Sequence, residues 1–364
     1  MSINRRELLS ASALLLAGPA FSLRAAAKPA DAGPLVLCWN ENPYGPSPAA
    51  QRAAAAALGT ACRYPSDADL DGLVADLAAH EQVTPEHIVT GTGSGELLCA
   101  LALVSGRDGG EIIAAEPTYL ELPDYARGYG APVHFVPVDA GLRHDLPAMA
   151  AAVTERTRAV YLCNPNNPTG TALPAAQLRA FIQALPPHVL AIVDEAYMDF
   201  ATAPDVRSVA DLVHGEHPVV VLRTFSKIHG MAGMRMGYAI TRPELARALR
   251  SARMSTPNLL AVRAARASLK DHEFLSATRQ RILTSRARIT GELARLKLRY
   301  AEPQGNFVFF DTGMPLATFT ARMKAQGILV GRLFPPFSSW CRLTIGTEPE
   351  VASFLNRLPA TLSA

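Results

Sequence analysis

Seven short apolar runs recur between positions 88 and 240: Ile88–Thr90, Ile112–Ala115, Val133–Val136, Ala159–Cys163, Leu190–Val193, Val219–Leu222 and Tyr238–Ile240. Runs this short, rich in Val and Ile and without polar alternation, read as strands buried on both faces. The helical stretches between them supply the crossovers that parallel strands require. The pattern predicts an α/β fold: a large domain with a mostly parallel sheet covered by helices, plus a smaller α+β domain. In sheets of this kind, ligands gather beyond the carboxyl ends of the strands.

The rest of the chain fits that frame. Residues 67–80 carry Leu70, Leu73, Val74 and Leu77 at helical spacing. After Arg242-Pro243 the pattern is helical through about Leu298, and a long helix near 244–268 is expected to link the lobes. Short strands at Asn306–Asp311, Ile328–Val330 and Cys341–Ile345 then mix with helices over Leu316–Ala325 and Glu348–Arg357. The expected division is an arm over 28–60 contributing to the small domain, a large domain over 61–250 and a small domain over 251–364. A chain of 364 residues, 49% hydrophobic and 18% charged, suits two such lobes and excludes a disordered or fibrous protein. A net charge of +3 gives no basis for a nucleic-acid partner.

Residues 1–27 differ in character from the remainder of the chain. Arg5-Arg6 precedes the largely apolar Leu8–Ala17, and Ala25-Ala26-Ala27 offers a small-residue cleavage site. This is the grammar of a secretory signal, and the paired arginines resemble the twin-arginine class. The apolar stretch is too short to span a bilayer. The expectation is a mature chain that starts near Lys28, periplasmic and without a membrane anchor; the alternative is a cytoplasmic protein with an amphipathic N-terminus. Cys38, Cys62, Cys99, Cys163 and Cys341 have no metal-site spacing, so no metal is expected, and at most one disulfide.

Polar residues at the ends of the runs carry the chemistry. Lys227 stands in Arg223-Thr224-Phe225-Ser226-Lys227, directly after Val219–Leu222. A lysine amine is a weak nucleophile until its pKa is lowered or it is held covalently. Asp194 ends the run Leu190–Val193, where a lone carboxylate is costly unless paired. A pyridinium N–H satisfies it, and a lysine with such a carboxylate is the pairing used with pyridoxal 5'-phosphate (PLP); the plain alternative for Asp194 is a helix N-cap. Tyr197 is placed to reach the ring hydroxyl. Gly93, Ser94 and Gly95 lie where a strand turns into a helix, an anion site for one phosphate or merely a tight turn. Thr224, Ser226 and Arg235 add phosphate-binding groups around Lys227. Tyr119 either stacks on a planar ring or lids the core. Asn167 either donates to a ring oxygen or serves its turn. Arg342, inside an apolar strand, needs an anion: a substrate carboxylate or a structural carboxylate.

This ordered set resembles the fold-type I, class I/II aminotransferases, and most of all their histidinol-phosphate aminotransferase branch, from about Leu35 to Leu358. Leu37-Cys38-Trp39-Asn40-Glu41-Asn42-Pro43-Tyr44-Gly45-Pro46-Ser47-Pro48 is similar to the N-terminal signature of that branch. The resemblance implies PLP as cofactor and transfer of an amino group from an L-amino acid to a 2-oxo acid. It assigns Ser94, Gly95, Thr224 and Arg235 to the phosphate, Tyr119 to ring stacking, and Asn167 and Tyr197 to the ring hydroxyl. Asp194 goes to the ring nitrogen, Lys227 to covalent attachment and proton transfer, and Arg342 to the substrate carboxylate. Arg63-Tyr64-Pro65 is similar to the segment whose tyrosine reaches the phosphate of the partner subunit, which implies a homodimer with shared sites. Asn42, Tyr44 and Arg332 are expected to touch the substrate side chain. Two positions depart from the branch: Cys38 stands where Asn is usual, and Gly331 displaces the usual arginine to Arg332, so histidinol phosphate is not carried over as the substrate. Decarboxylation or oxidation on the same scaffold, and PLP binding without catalysis, are the alternatives. Intact Lys227, Asp194, Tyr197 and Arg342 argue against the last.

Overall fold

A computed structural model describes residues 33–363. The expected N-terminal signal, including Arg5, Arg6 and the start near Lys28, lies outside the described residues. From Leu35 onward the chain forms one compact unit.

The strands are β1 (Leu35–Leu37), β2 (Ile88–Gly91), β3 (Glu111–Glu116), β4 (Val133–Pro137), β5 (Thr157–Cys163), β6 (Leu190–Asp194), β7 (Val219–Thr224), β8 (Gly237–Thr241), β9 (Phe307–Asp311), β10 (Ile328–Val330) and β11 (Trp340–Thr344). Every apolar run between 88 and 240 is a strand of one sheet, in the order β2-β8-β7-β6-β5-β3-β4. All neighbours in it are parallel except β8, which is antiparallel to both β2 and β7.

The runs lack polar alternation because both faces of the sheet are buried. Val160, Leu162, Ala191, Val193, Val219 and Val221 enter one core. Their neighbours Ala159, Tyr161, Leu190, Ile192, Val220 and Leu222 enter the other. The first core is closed by the helices Pro48–Ala57, Asp67–Glu81, Ala175–Ala184 and Leu259–Leu269. The second is closed by Ser94–Ser105, Glu121–Gly128 and Pro243–Ala252.

The single long helix expected near 244–268 is two helices, Pro243–Ala252 and Leu259–Leu269. Asn258 caps the second by accepting from the Ala261 N–H at 2.8 Å, and Pro257 precedes it. The two pack on opposite faces of the sheet, so an uninterrupted helix cannot serve both. Leu259–Leu269 thus joins the large core, beyond the expected boundary at 250. The smaller core opens with the helix His272–Arg295 and adds Leu316–Ala325 and Glu348–Ser363 around the pairs β1–β10 and β9–β11. The N-terminal arm serves both cores: β1 pairs parallel with β10, while Pro48–Ala57 packs on Leu259–Leu269. Among the described residues no helix is long and apolar enough to cross a membrane, and all five cysteines are free.

Candidate active site

Strand register gathers the polar ends. Cys163 of β5 lies beside Asp194 of β6, and Thr224 of β7 beside Gly237 of β8, which itself pairs with Gly91 of β2. A cavity of about 430 Å³ opens along this edge. Its lining holds Ser94, Gly95, Tyr119, Asn167, Asp194, Tyr197, Thr224, Ser226, Lys227, Arg235, Arg332 and Arg342.

Asp194 is 2% exposed. Its Oδ1 accepts from the Ala196 N–H at 3.1 Å and its Oδ2 from the Tyr161 hydroxyl at 3.1 Å. It is not a helix cap, because the next helical turn begins at Met198. Burial pushes its carboxyl up to about 6, against the pull of those two hydrogen bonds and of Lys227. Among the described residues its donors are neutral, so a cationic N–H from a ligand is the missing complement.

Lys227 Nζ donates to the Asn40 carbonyl at 3.0 Å and more weakly to that of Trp39 at 3.4 Å. Burial first, and Arg342 second, push its amine down to about 8, where a useful fraction is neutral at ordinary pH. Nζ lies 5.4 Å from the centre of the Tyr197 ring. The Tyr197 hydroxyl accepts from Asn40 Nδ2 at 3.1 Å and from Asn167 Nδ2 at 3.4 Å. Arg342 has no ion pair among the described residues. Nη1 donates to Asn167 Oδ1 and Nη2 to the Cys38 carbonyl, each at 2.6 Å, and Nε is buried without a partner.

At the far end, Gly93 caps the helix Ser94–Ser105 with φ +87, and a Cβ there would stand 2.6 Å from Arg235 Nη2. The free N–H groups of that helix start, the Arg235 guanidinium and the Thr224 and Ser226 hydroxyls form a cradle for one phosphate. A phosphate cradle, a buried carboxylate lacking a cationic N–H and an amine of lowered pKa on the wall fit PLP.

Other expected contacts lie elsewhere. Asn42 is buried but its Nδ2 donates to the Ile228 carbonyl at 2.8 Å, and its Oδ1 accepts from the Tyr44 N–H. The Tyr44 ring packs on the smaller core under the Arg281 guanidinium, 5.2 Å away. Neither lines this cavity. Tyr64, expected to serve the site of a partner subunit, is 93% exposed and does not line this chain's own cavity. Conversely, Trp39, Asn40, Glu41 and Glu121 line the cavity, and Tyr161 holds Asp194 from within β5. The motif containing Asn40 was legible, but not which of its two asparagines faces inward. Gly331 has a steric reason: a Cβ there would lie 2.4 Å from the Arg342 carbonyl oxygen, so a side chain begins only at Arg332.

Residues 32–358 match the family model of aminotransferase class I and II. The chain belongs to this family. It is 38% identical to a histidinol-phosphate aminotransferase of Moorella thermoacetica, covering 90% of this chain and 85% of that protein. It is also 38% identical to an aromatic amino acid aminotransferase of Rhodococcus jostii, covering 89% of each. The solved histidinol-phosphate aminotransferase of Sinorhizobium meliloti in complex with pyridoxal-5'-phosphate superposes with a TM-score of 0.84 at 29% identity, covering 91% of each chain. The protein is therefore a PLP-dependent aminotransferase, which moves an amino group between an amino acid and a 2-oxo acid.

Proposed function

We propose that this aminotransferase takes its amino group from an L-amino acid with a flat ring side chain. The relatives named for histidinol phosphate and for aromatic amino acids support this, as do Trp39 and Tyr119 on the cavity wall. Arg332 lines the same cavity with its guanidinium 5.3 Å from the Phe334 ring and no carboxylate partner among the described residues. It is available to a second anionic group of either substrate.

The observation that carries the mechanism is the convergence of Lys227, Asp194 and Arg342 on one cavity. When bound, PLP supplies the aldehyde that takes up the amino group and the conjugated ring that accepts electrons released at the substrate Cα. Asp194 holds the proton on the ring nitrogen. Lys227 Nζ would hold the cofactor at rest and, once free, would take the proton from the substrate Cα. Arg342 holds the substrate α-carboxylate, using the Nε that has no protein partner. Tyr119 would cover the ring, and Ser94, Gly95, Thr224, Ser226 and Arg235 would hold the phosphate.

The test mixes cofactor-loaded protein with each amino acid in turn, without acceptor. Loss of the long-wavelength absorbance with release of one equivalent of 2-oxo acid supports the reading and names the donor. Carbon dioxide release or oxygen consumption instead overturns it. Lys227→Ala is expected to abolish turnover while retaining PLP without a covalent link, shown by its release on denaturation even after borohydride treatment, which fixes the cofactor to the native lysine; multiple turnovers near the native rate contradict the role given to Lys227. The N-terminal pattern also supports export by a twin-arginine route with maturation near Lys28. Sequencing the exported form checks this, and an intact Met1 in the soluble cytosolic fraction refutes it.

A further inference from the structure

Asn40 is 1% exposed and holds φ 54, a left-handed conformation that Asn tolerates better than most residues. Its N–H donates to Thr344 Oγ1 at 2.9 Å, and its Oδ1 faces the same hydroxyl at 3.2 Å. Its Nδ2 donates to the Tyr197 hydroxyl at 3.1 Å. Its carbonyl accepts from Lys227 Nζ at 3.0 Å and from Asn306 Nδ2 at 3.1 Å.

Hydrogen-bond capacity makes this arrangement directional. Thr344 Oγ1 accepts from the Asn40 backbone and donates its one proton to Oδ1, and with Oδ1 so engaged the Asn40 NH₂ is turned to Tyr197. Arg342 can only donate, so Asn167 presents Oδ1 to it and turns its own NH₂ to Tyr197, at 3.4 Å. A phenol oxygen accepts two hydrogen bonds and donates one. Both acceptor positions are filled, and among the described residues nothing takes the phenolic proton. The O–H is left for whatever occupies the cavity.

We propose that Asn40 is a positioning residue that makes Tyr197 a hydrogen donor to the cofactor ring oxygen, while its carbonyl holds Lys227 Nζ at the cavity wall. This rests on the reading that Tyr197 touches the bound cofactor. A phenol that accepts an amide N–H is the stronger donor, because hydrogen bonds in a chain polarise one another. Thr344 ends β11 and Asn306 directly precedes β9, so docking of the arm onto the smaller core sets the behaviour of a tyrosine that follows β6 of the larger sheet.

The test separates the two roles of Asn40. Asn40→Gly retains the left-handed backbone and the carbonyl and deletes only the amide; Tyr197→Phe deletes the phenol. Two quantities are read: cofactor affinity by equilibrium dialysis, and the pH midpoint of the bound cofactor's visible absorbance change. Donation to the ring oxygen favours its anionic form, so a weaker donor raises the midpoint. Lys227, Asp194 and Arg342, the charged groups facing the phenol, are unchanged in both variants. Asn40→Gly is expected to weaken cofactor binding about fivefold and to raise the midpoint by less than Tyr197→Phe does. The double variant should match Tyr197→Phe alone, because the amide acts through the phenol. In the cofactor-free protein, the pH dependence of Lys227 reaction with trinitrobenzenesulfonate should be native in Asn40→Gly and disturbed in Asn40→Ala, which strains the backbone. A native midpoint in Asn40→Gly beside a shifted one in Tyr197→Phe, or additive effects in the double variant, overturns the proposal alone. An unmoved midpoint in Tyr197→Phe overturns the reading of Tyr197 and this proposal with it.

Discussion

Burial displaces the pKa of both Asp194 and Lys227 toward the neutral form, and this shows in stability before it shows in catalysis. The folded pKa of Asp194, about 6, lies above its ordinary 3.8. Stability from such a group is full below its unfolded value and is lost as pH rises through the folded one. The cofactor-free protein therefore carries an uncompensated carboxylate at neutral pH. Asp194→Asn should stabilise the cofactor-free protein above pH 6 by on the order of 2 kcal/mol, with the gain vanishing below the unfolded pKa. Thermal melts across pH check this, and a pH-independent difference contradicts it. Lys227 has the opposite sign: its pKa is lowered to about 8, so the stability linked to its neutral form is lost as pH falls through 8. Among residues, the roles most legible in the sequence were those whose type is unusual for its place, a carboxylate ending a buried strand and an arginine inside one. Tyr161 gave no such signal, since a tyrosine in an apolar run looks like core until its hydroxyl is seen on Asp194.

At the scale of elements, the strands were readable because burial on both faces removes polar alternation, and each strand divides its side chains between two cores. The helix Ser94–Ser105 was readable from its glycine-rich start, where the phosphate cradle forms. Its first turn works only with a residue that adopts φ +87 and leaves room for the Arg235 guanidinium. Gly93→Ala should lower cofactor affinity about tenfold, through backbone strain and displacement of Arg235, and leave the fold intact; dialysis of the folded variant at native affinity would dismiss the cradle. The break between Pro243–Ala252 and Leu259–Leu269 was not readable from periodicity. Apolar spacing continues through both segments, and which face of the sheet each covers depends on the rest of the molecule.

Over the whole molecule, two cores must hold one cavity between them. Arg286, on the helix His272–Arg295, is 7% exposed. Its Nη1 donates to the carbonyls of Phe200 at 2.9 Å and Gly305 at 3.1 Å, and its Nη2 to Thr202 Oγ1 at 2.8 Å. It ties the segment after Tyr197 to the smaller core. Arg286→Met leaves three acceptors unpaired and should cost on the order of 3 kcal/mol in denaturant unfolding; an unchanged midpoint contradicts this. Tyr64, 93% exposed, and Trp39, 65% exposed, leave large aromatic surface in water. The homodimer that the resemblance implies, with Tyr64 reaching the phosphate of the other subunit, is tested directly. Light scattering should give a dimer, and Tyr64→Ala should weaken cofactor binding severalfold while remaining dimeric; a monomer with full affinity ends that idea.

The sequence by itself determined the α/β class, the strand order of the chemical groups and the cofactor, because burial pattern and residue type at strand ends are local properties. Only the tertiary structure decided that Asn40 rather than Asn42 faces the cavity, that Tyr161 supports Asp194 and that Arg332 begins where Gly331 leaves no room. Those outcomes depend on contacts such as Asn40 with Thr344 and Gly331 with Arg342. Hydrogen-bond direction and steric room are set by neighbours distant along the chain, and no local pattern encodes them.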